Sequence, residues 1–165
     1  MEGALKTIFR VFLLFVAFLA APLSAAADPV DFPRVIQMLE ELGYTPKQLN
    51  KEGESPKSEI AATSGSWSVH LSFEVSPSKR FIWVSAFLGD AGHITGDKAL
   101  DILKREASIQ PTGFWITRTG GLMIGMYLDN RDVTPDHLKF VIDKLVRDVE
   151  ATSGLWAPPP AAATP

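Results

Sequence analysis

The chain has 165 residues, 16 Lys and Arg against 19 Asp and Glu, 46% hydrophobic residues and no Cys. That length favours one domain, the apolar content excludes wholesale disorder, and a formal charge of -3 argues against a dedicated nucleic-acid binder. Zero Cys excludes disulfides, thiolate metal sites, a Cys nucleophile and a lipid-modified N-terminal Cys.

Residues 1–27 read as a secretory signal peptide. Lys6 and Arg10 supply a positive start, residues 11–21 are uninterruptedly apolar, Pro22 breaks the run, and Ala25, Ala26 and Ala27 are small enough for signal peptidase. The apolar run is shorter than the roughly 20 residues a membrane span needs. The expected cut falls between Ala27 and Asp28, with no stable membrane insertion afterwards and a periplasmic or extracellular product. At the other end, residues 157–165 consist of Ala, Pro and one Thr and read as a disordered, extended tail. A single folded unit is expected over 28–156.

Within that unit, Asp31 caps a helix whose apolar positions Phe32, Val35, Ile36, Leu39 and Leu42 share one stripe, and Gly43 stops it. A polar stretch with one short strand around 48–52 follows, then a weak strand over 58–63 and a turn at Ser64 and Gly65. Residues 67–75 give the clearest pattern: Trp67, Val69, Leu71, Phe73 and Val75 alternate with polar residues, so one face is buried and one is wet. After a turn at 76–79, residues 81–88 return as an antiparallel partner that is apolar on both faces, as a central strand is. Residues 89–96 are a loop, and 97–107 a second helix with Ala99, Leu100, Leu103 and Ala107 on its apolar stripe. Residues 114–119 and 122–128 form a second hairpin, with Gly120 and Gly121 at its tip. Thr134, Pro135 and Asp136 start a last helix. It buries Leu138, Val141, Ile142, Leu145, Val146 and Val149 and turns Lys139, Asp143, Lys144, Arg147 and Glu150 to solvent.

The class is therefore α+β: an antiparallel sheet of about five strands with three helices, in the order α-βββ(β)-α-ββ-α. This order resembles the type III secretion chaperone-like fold shared by the YbjN-like and Tir-chaperone families. Similar details are an opening helix ending Leu-Glu-Glu-Leu-Gly-Tyr, a strand with Phe-Ile-Trp-Val-Ser, and the run Leu-Met-Ile-Gly-Met-Tyr-Leu-Asp-Asn-Arg into Val-Thr-Pro-Asp-His-Leu. The resemblance covers roughly residues 30–156. It implies a small, often dimeric, protein-binding module without enzymatic activity, and brings no catalytic residue to carry over. The leader departs from it, because the secretion chaperones work in the cytosol.

Catalytic signatures are missing. His70, His93 and His137 stand at no metal-ligand spacing, and no nucleophile elbow, phosphate loop or calcium loop is present. No metal or cofactor is expected. His70 sits in a row of Ser on the wet face of its strand, and His93 in a loop beside Asp90 and Asp97.

The informative feature is apolar. With a four-residue loop at 76–79, Phe73 opposes Ile82. Ile82, Val84, Ala86 and Leu88 then face the core, while Phe81, Trp83 and Phe87 share the other side with His70. A three-residue loop exchanges the two sets. Residues 122–128 repeat the property, with Met123 and Tyr127 opposed to Leu122, Ile124, Met126 and Leu128. Three helices, a dimer mate or a bound partner must cover the second face. The expectation is an exported, non-enzymatic module that binds a protein or peptide, with Trp83, Trp115, Tyr127 and His70 as partner-binding candidates and a homodimer as the assembly. The rival expectation is a small exported hydrolase using His70 or His93.

Overall fold

The computed structural model of the protein describes residues 28–50, 53–65 and 67–157. The leader over 1–27 with Ala27, the end of the strand expected at 48–52, Ser66 of the polar row, and the tail from 158 onward lie outside the described residues.

Helix α1 (Phe32–Glu41) starts where the Asp31 carboxylate accepts a hydrogen bond from the Arg34 amide at 3.0 Å. Its core face is Val35, Met38 and Leu39, and Gly43 follows at φ +84°, the left-handed turn that glycine accepts most readily. Three strands then run back and forth: β2 (Lys57–Ser64), β3 (Trp67–Val75) and β4 (Phe81–Asp90), with the short β1 (Lys47–Gln48) on the outer side of β2. Helix α2 (Gly96–Ile109) leads to the edge strand β5 (Gly113–Ile116), β6 (Gly121–Asp129) and the long helix α3 (Pro135–Trp156). The Thr134 hydroxyl accepts from the His137 amide and Pro135 opens the first turn of α3.

The sheet has six strands in the order β1-β2-β3-β4-β6-β5, all antiparallel, where about five were expected; the short strand expected around 48–52 appears as β1 at Lys47–Gln48. Helix α3 packs on β2, β3, β4 and β6, α1 packs on α3, and α2 packs on α3 and β5. Beneath them lies one core. Its fully buried side chains include Leu71 and Phe73 of β3, Ile82 and Val84 of β4, Ile124 of β6, and Leu138 and Leu145 of α3.

Three sequence expectations are corrected here. The β3–β4 register pairs Phe73 with Val84 and Val75 with Ile82, one pair further along than expected, because Ser76 joins the ladder by donating to the Phe81 carbonyl. A two-residue shift keeps side-chain parity, so Ile82, Val84 and Ala86 are still buried. Leu88 is only partly buried, because a bulge between Phe87 and Gly89 interrupts the alternation. The second correction concerns α2. It buries Ile102 and Ile109 and leaves Leu100, Leu103 and Ala107 exposed. The helix sits at the sheet margin and turns the stripe of Lys98, Ile102, Glu106 and Ile109 inward, with Lys98 and Glu106 half-buried.

Lys144 likewise turns inward rather than to solvent. Its ammonium donates to Asp148 at 2.6 Å and to the Ile109 carbonyl at 2.9 Å, and the Thr112 hydroxyl donates to the same Asp148 carboxylate at 2.6 Å. This knot ties the end of α2 and the approach to β5 onto α3. It thereby sets where β5 lies.

Candidate functional site

The helices cover one face of the sheet. Side-chain alternation sends the remaining residues to the other face, where Trp83 is 55% exposed, Phe87 66% and Tyr127 65%. Among the described residues no helix is packed over this side of β4 and β6, and no helix is long and apolar enough to cross a membrane.

Register organises the exposed side chains into rows across the strands. Ser85 of β4 pairs with Gly125 of β6, and Gly125 pairs with Gly113 of β5. These three small residues form a low floor crossing three strands. Trp83 and Tyr127, themselves paired across β4 and β6, stand on one side. Trp115, paired with Met123 and 43% exposed, stands on the other, and its indole edge lies over Gly125. The result is a groove of about 410 Å³, also lined by Pro111, Phe114 and Met126. At its β5 end the Glu106 carboxylate reaches over Gly113, within 2.7 Å of where a Cβ would stand.

Neighbouring contacts fix the walls. The Phe81 and Tyr127 rings meet edge to face at 5.2 Å, which supports Tyr127 from behind. Phe87 lies over Gly121 much as Trp115 lies over Gly125. At the far end of the same strands, Asp129 is gripped by Arg131. That hydrogen bond first, then the charges of Arg131 and Arg80, lowers its carboxyl to about 2. Beside it the buried Asn130 amide donates to the carbonyls of Val30 and Lys79 at 2.8 and 2.9 Å. The chain entry, the β3–β4 turn and the end of β6 are thus tied at one point.

Three of the four partner-binding candidates, Trp83, Trp115 and Tyr127, meet at this groove. His70 does not. It lies on the polar part of the same sheet face, where its Nδ1 is 3.0 Å from Glu59. His93, the other histidine of the hydrolase expectation, belongs to a short 3-10 turn (Ala91–His93), and its Nε2–H donates to the Trp156 carbonyl at 2.6 Å. That bond fastens the turn to the end of α3. Among the described residues no group of His, Asp and Glu is arranged to hold a metal. Sequence reasoning missed Ser85, Gly113 and Gly125. The glycines in strands signalled a close backbone approach, but only the register shows what approaches.

The fold has known counterparts. A chain of the heterodimeric ExoU-SpcU complex from the type III secretion system of Pseudomonas aeruginosa is 16% identical, with 76% of this chain and 99% of that one covered and a TM-score of 0.51. A chain of the HopA1-SchA chaperone-effector complex is 12% identical over 74% of this chain and 97% of its own, with a TM-score of 0.51. A chain of the ExsC-ExsE complex is 11% identical over 81% and 100%, with a TM-score of 0.56. The protein has a type III secretion chaperone-like fold. No family model and no curated protein matches the sequence. At these identities the likeness speaks for architecture alone.

Proposed function

We propose that the protein is a non-enzymatic module that binds a protein or peptide partner through the open sheet face, centred on the groove between Trp83, Tyr127 and Trp115. The observation that carries this is the groove itself: large aromatic side chains gathered around Ser85, Gly113 and Gly125, with the Glu106 carboxylate at its β5 end. Aromatic residues in a recess anchor protein interfaces, because they bury much area at small entropic cost. The solved counterparts are complexes of two different proteins, one of them described as a chaperone with its effector, which supports a protein as the occupant.

The charged start, short apolar core and small residues before Asp28 support export, so the proposed site of action is the periplasm or the exterior. A homodimer through the same face is the proposed resting assembly, since an open face with these aromatics is the kind of patch that soluble monomers cover. His70 with Glu59 flanks the contact as a polar rim. A hydrolase reading has no support of this kind: the ring nitrogens of His70 and His93 described above face Glu59 and the Trp156 carbonyl.

The test is photo-crosslinking in the producing cell, with a photoreactive residue at position 83, 115 or 127 and at the helix-side positions Leu100 and Phe140 for comparison. Adducts to protein from the groove positions and not from the helix side support the reading. Adducts from the helix side alone would overturn it.

A further inference from the structure

Resting on that reading of the groove, we propose that its occupant is an arginine side chain of the partner protein, its guanidinium held between the Glu106 carboxylate and the Trp115 indole. Gly113 and Gly125 are paired across β5 and β6, so their Cβ positions stand about 5 Å apart. Glu106 Oε1 lies 2.7 Å from the first position, and the edge of the Trp115 indole lies 2.9 Å from the second. A carboxylate and an aromatic ring therefore stand over neighbouring places in one row. Trp83 and Tyr127 form the opposite wall, and Ser85 adds a hydroxyl to the floor. An acid beside several ring faces suits a cation: the rings attract it, and the carboxylate accepts its N–H groups. Arginine meets this better than lysine. Its guanidinium is flat and weakly hydrated, and it carries five donors in a fixed fork.

Charge complementarity selects this occupant over an apolar or acidic one. The carboxylates of Glu74 and Asp148, each withdrawn from solvent, are met by Lys57 and Lys144. Glu106 is half-buried too, yet among the described residues no hydrogen bond or ion pair reaches its carboxylate; its backbone carbonyl alone has a donor, the Gln110 side chain. A carboxylate held against apolar surface gains most from a partner that brings the opposite charge to it. The place of Glu106 is also set by the fold. It belongs to the inward stripe of α2, and the knot of Lys144, Asp148 and Thr112 ties the end of that helix and the approach to β5 onto α3. The wider field has the same sign. Glu59 stands at the far end of the cross-strand row that runs through Ser72 and Ser85 to Gly125. Lys6 and Arg10 outnumber Glu2 in the first 27 residues, so the chain beyond them is one charge more negative than the formal -3 of the whole. Such a field draws in a basic segment.

The experiment titrates two capped peptides into protein purified from the producing cell while tryptophan fluorescence is followed. One is Gly-Leu-Arg-Leu-Gly, and the other carries citrulline, the neutral isostere of arginine, in its place. The proposal expects saturable binding of the arginine peptide, with the citrulline peptide about tenfold weaker and added salt weakening only the former. Glu106→Gln should cut the preference to less than about threefold and leave the affinity for the citrulline peptide unchanged, whereas Trp115→Ala should weaken both peptides. Asp101→Asn, on the exposed side of α2 where Asp101 pairs with Lys104, makes the same change in net charge and should keep the preference. Circular dichroism checks that each variant is folded, and the two-peptide comparison on the parent stands without them. Equal affinity for the two peptides, equal effects of the two α2 variants, or no saturation at millimolar peptide would overturn the proposal. So would binding of phosphatidylcholine vesicles that Glu106→Gln abolishes while the arginine peptide stays unbound. If crosslinks to protein from positions 83 and 115 persist alongside such a result, the groove reading stands and only the arginine is wrong. If those crosslinks are missing as well, the groove reading itself fails.

Discussion

Trp115 and Gly125 are made for each other: a Cβ added at 125 would lie 2.9 Å from the edge of the Trp115 indole and 2.5 Å from the Val84 carbonyl oxygen. Gly125 is not in the left-handed region, so this is a steric requirement and not a conformational one. Gly125→Ala is expected to cost about 1–3 kcal/mol, the usual range for overpacking a close contact. It should also expel the indole from its seat. Urea unfolding reads the first effect, and the emission maximum of Trp115 in a protein lacking the other tryptophans reads the second.

The two faces of β3 make a second prediction. Leu71 and, on α3, Leu145 are fully buried, whereas Ser68 is exposed and Ser72 only half-buried on the opposite face. Leu71→Ala and Leu145→Ala should each cost about 2–5 kcal/mol. Ser68→Ala and Ser72→Ala should cost less than about 1 kcal/mol. Denaturant midpoints of the four variants check the face assignment.

Asn130 carries a third. Its amide group serves two carbonyls from distant parts of the chain, Val30 and Lys79. Asn130→Ala removes both hydrogen bonds, at about 1–3 kcal/mol. Hydrogen exchange should quicken at the start of α1 and in the β3–β4 turn together, since both lean on the one side chain.

A fourth concerns acid. Asp129 titrates at about 2 in the folded protein, below its ordinary 3.8, because Arg131 hydrogen-bonds and attracts the carboxylate. A lowered folded value means that the stabilisation is whole above the ordinary value and fades as pH falls from about 4 through 2. Asp129→Asn should therefore be less stable than the parent at pH 5, with the gap closing by pH 2. Thermal unfolding across that range measures it.

Much of this fold is legible in the order of residues. Strict alternation over Trp67–Val75 and the Thr134-Pro135 start of α3 each rest on local rules, and the structure shows both. The division into two faces is legible as well, since parity alone puts Trp83 and Phe87 opposite Val84 and Ala86, but which of the two faces the helices depends on the length of the turn after Val75. What was not legible depends on long-range placement. Helix α2 has an apolar stripe at Leu100 and Leu103 that reads as core, yet its position at the sheet margin leaves that stripe exposed. Lys144 looks solvated until the Ile109 carbonyl and Thr112 are brought to it and its helix neighbour Asp148. The groove floor needed two registers at once, β4 with β6 and β6 with β5, before Ser85, Gly125 and Gly113 fell into a row.

The central claim is that this sheet face, and not the helix side, meets the partner. Crosslinking from position 115 tests it most directly, with Leu100 as the helix-side control, since both residues are exposed and apolar. The account predicts a discrete protein adduct from position 115 that is lost on Trp83→Ala, and none from position 100. Adducts from position 100 with none from position 115 would contradict it.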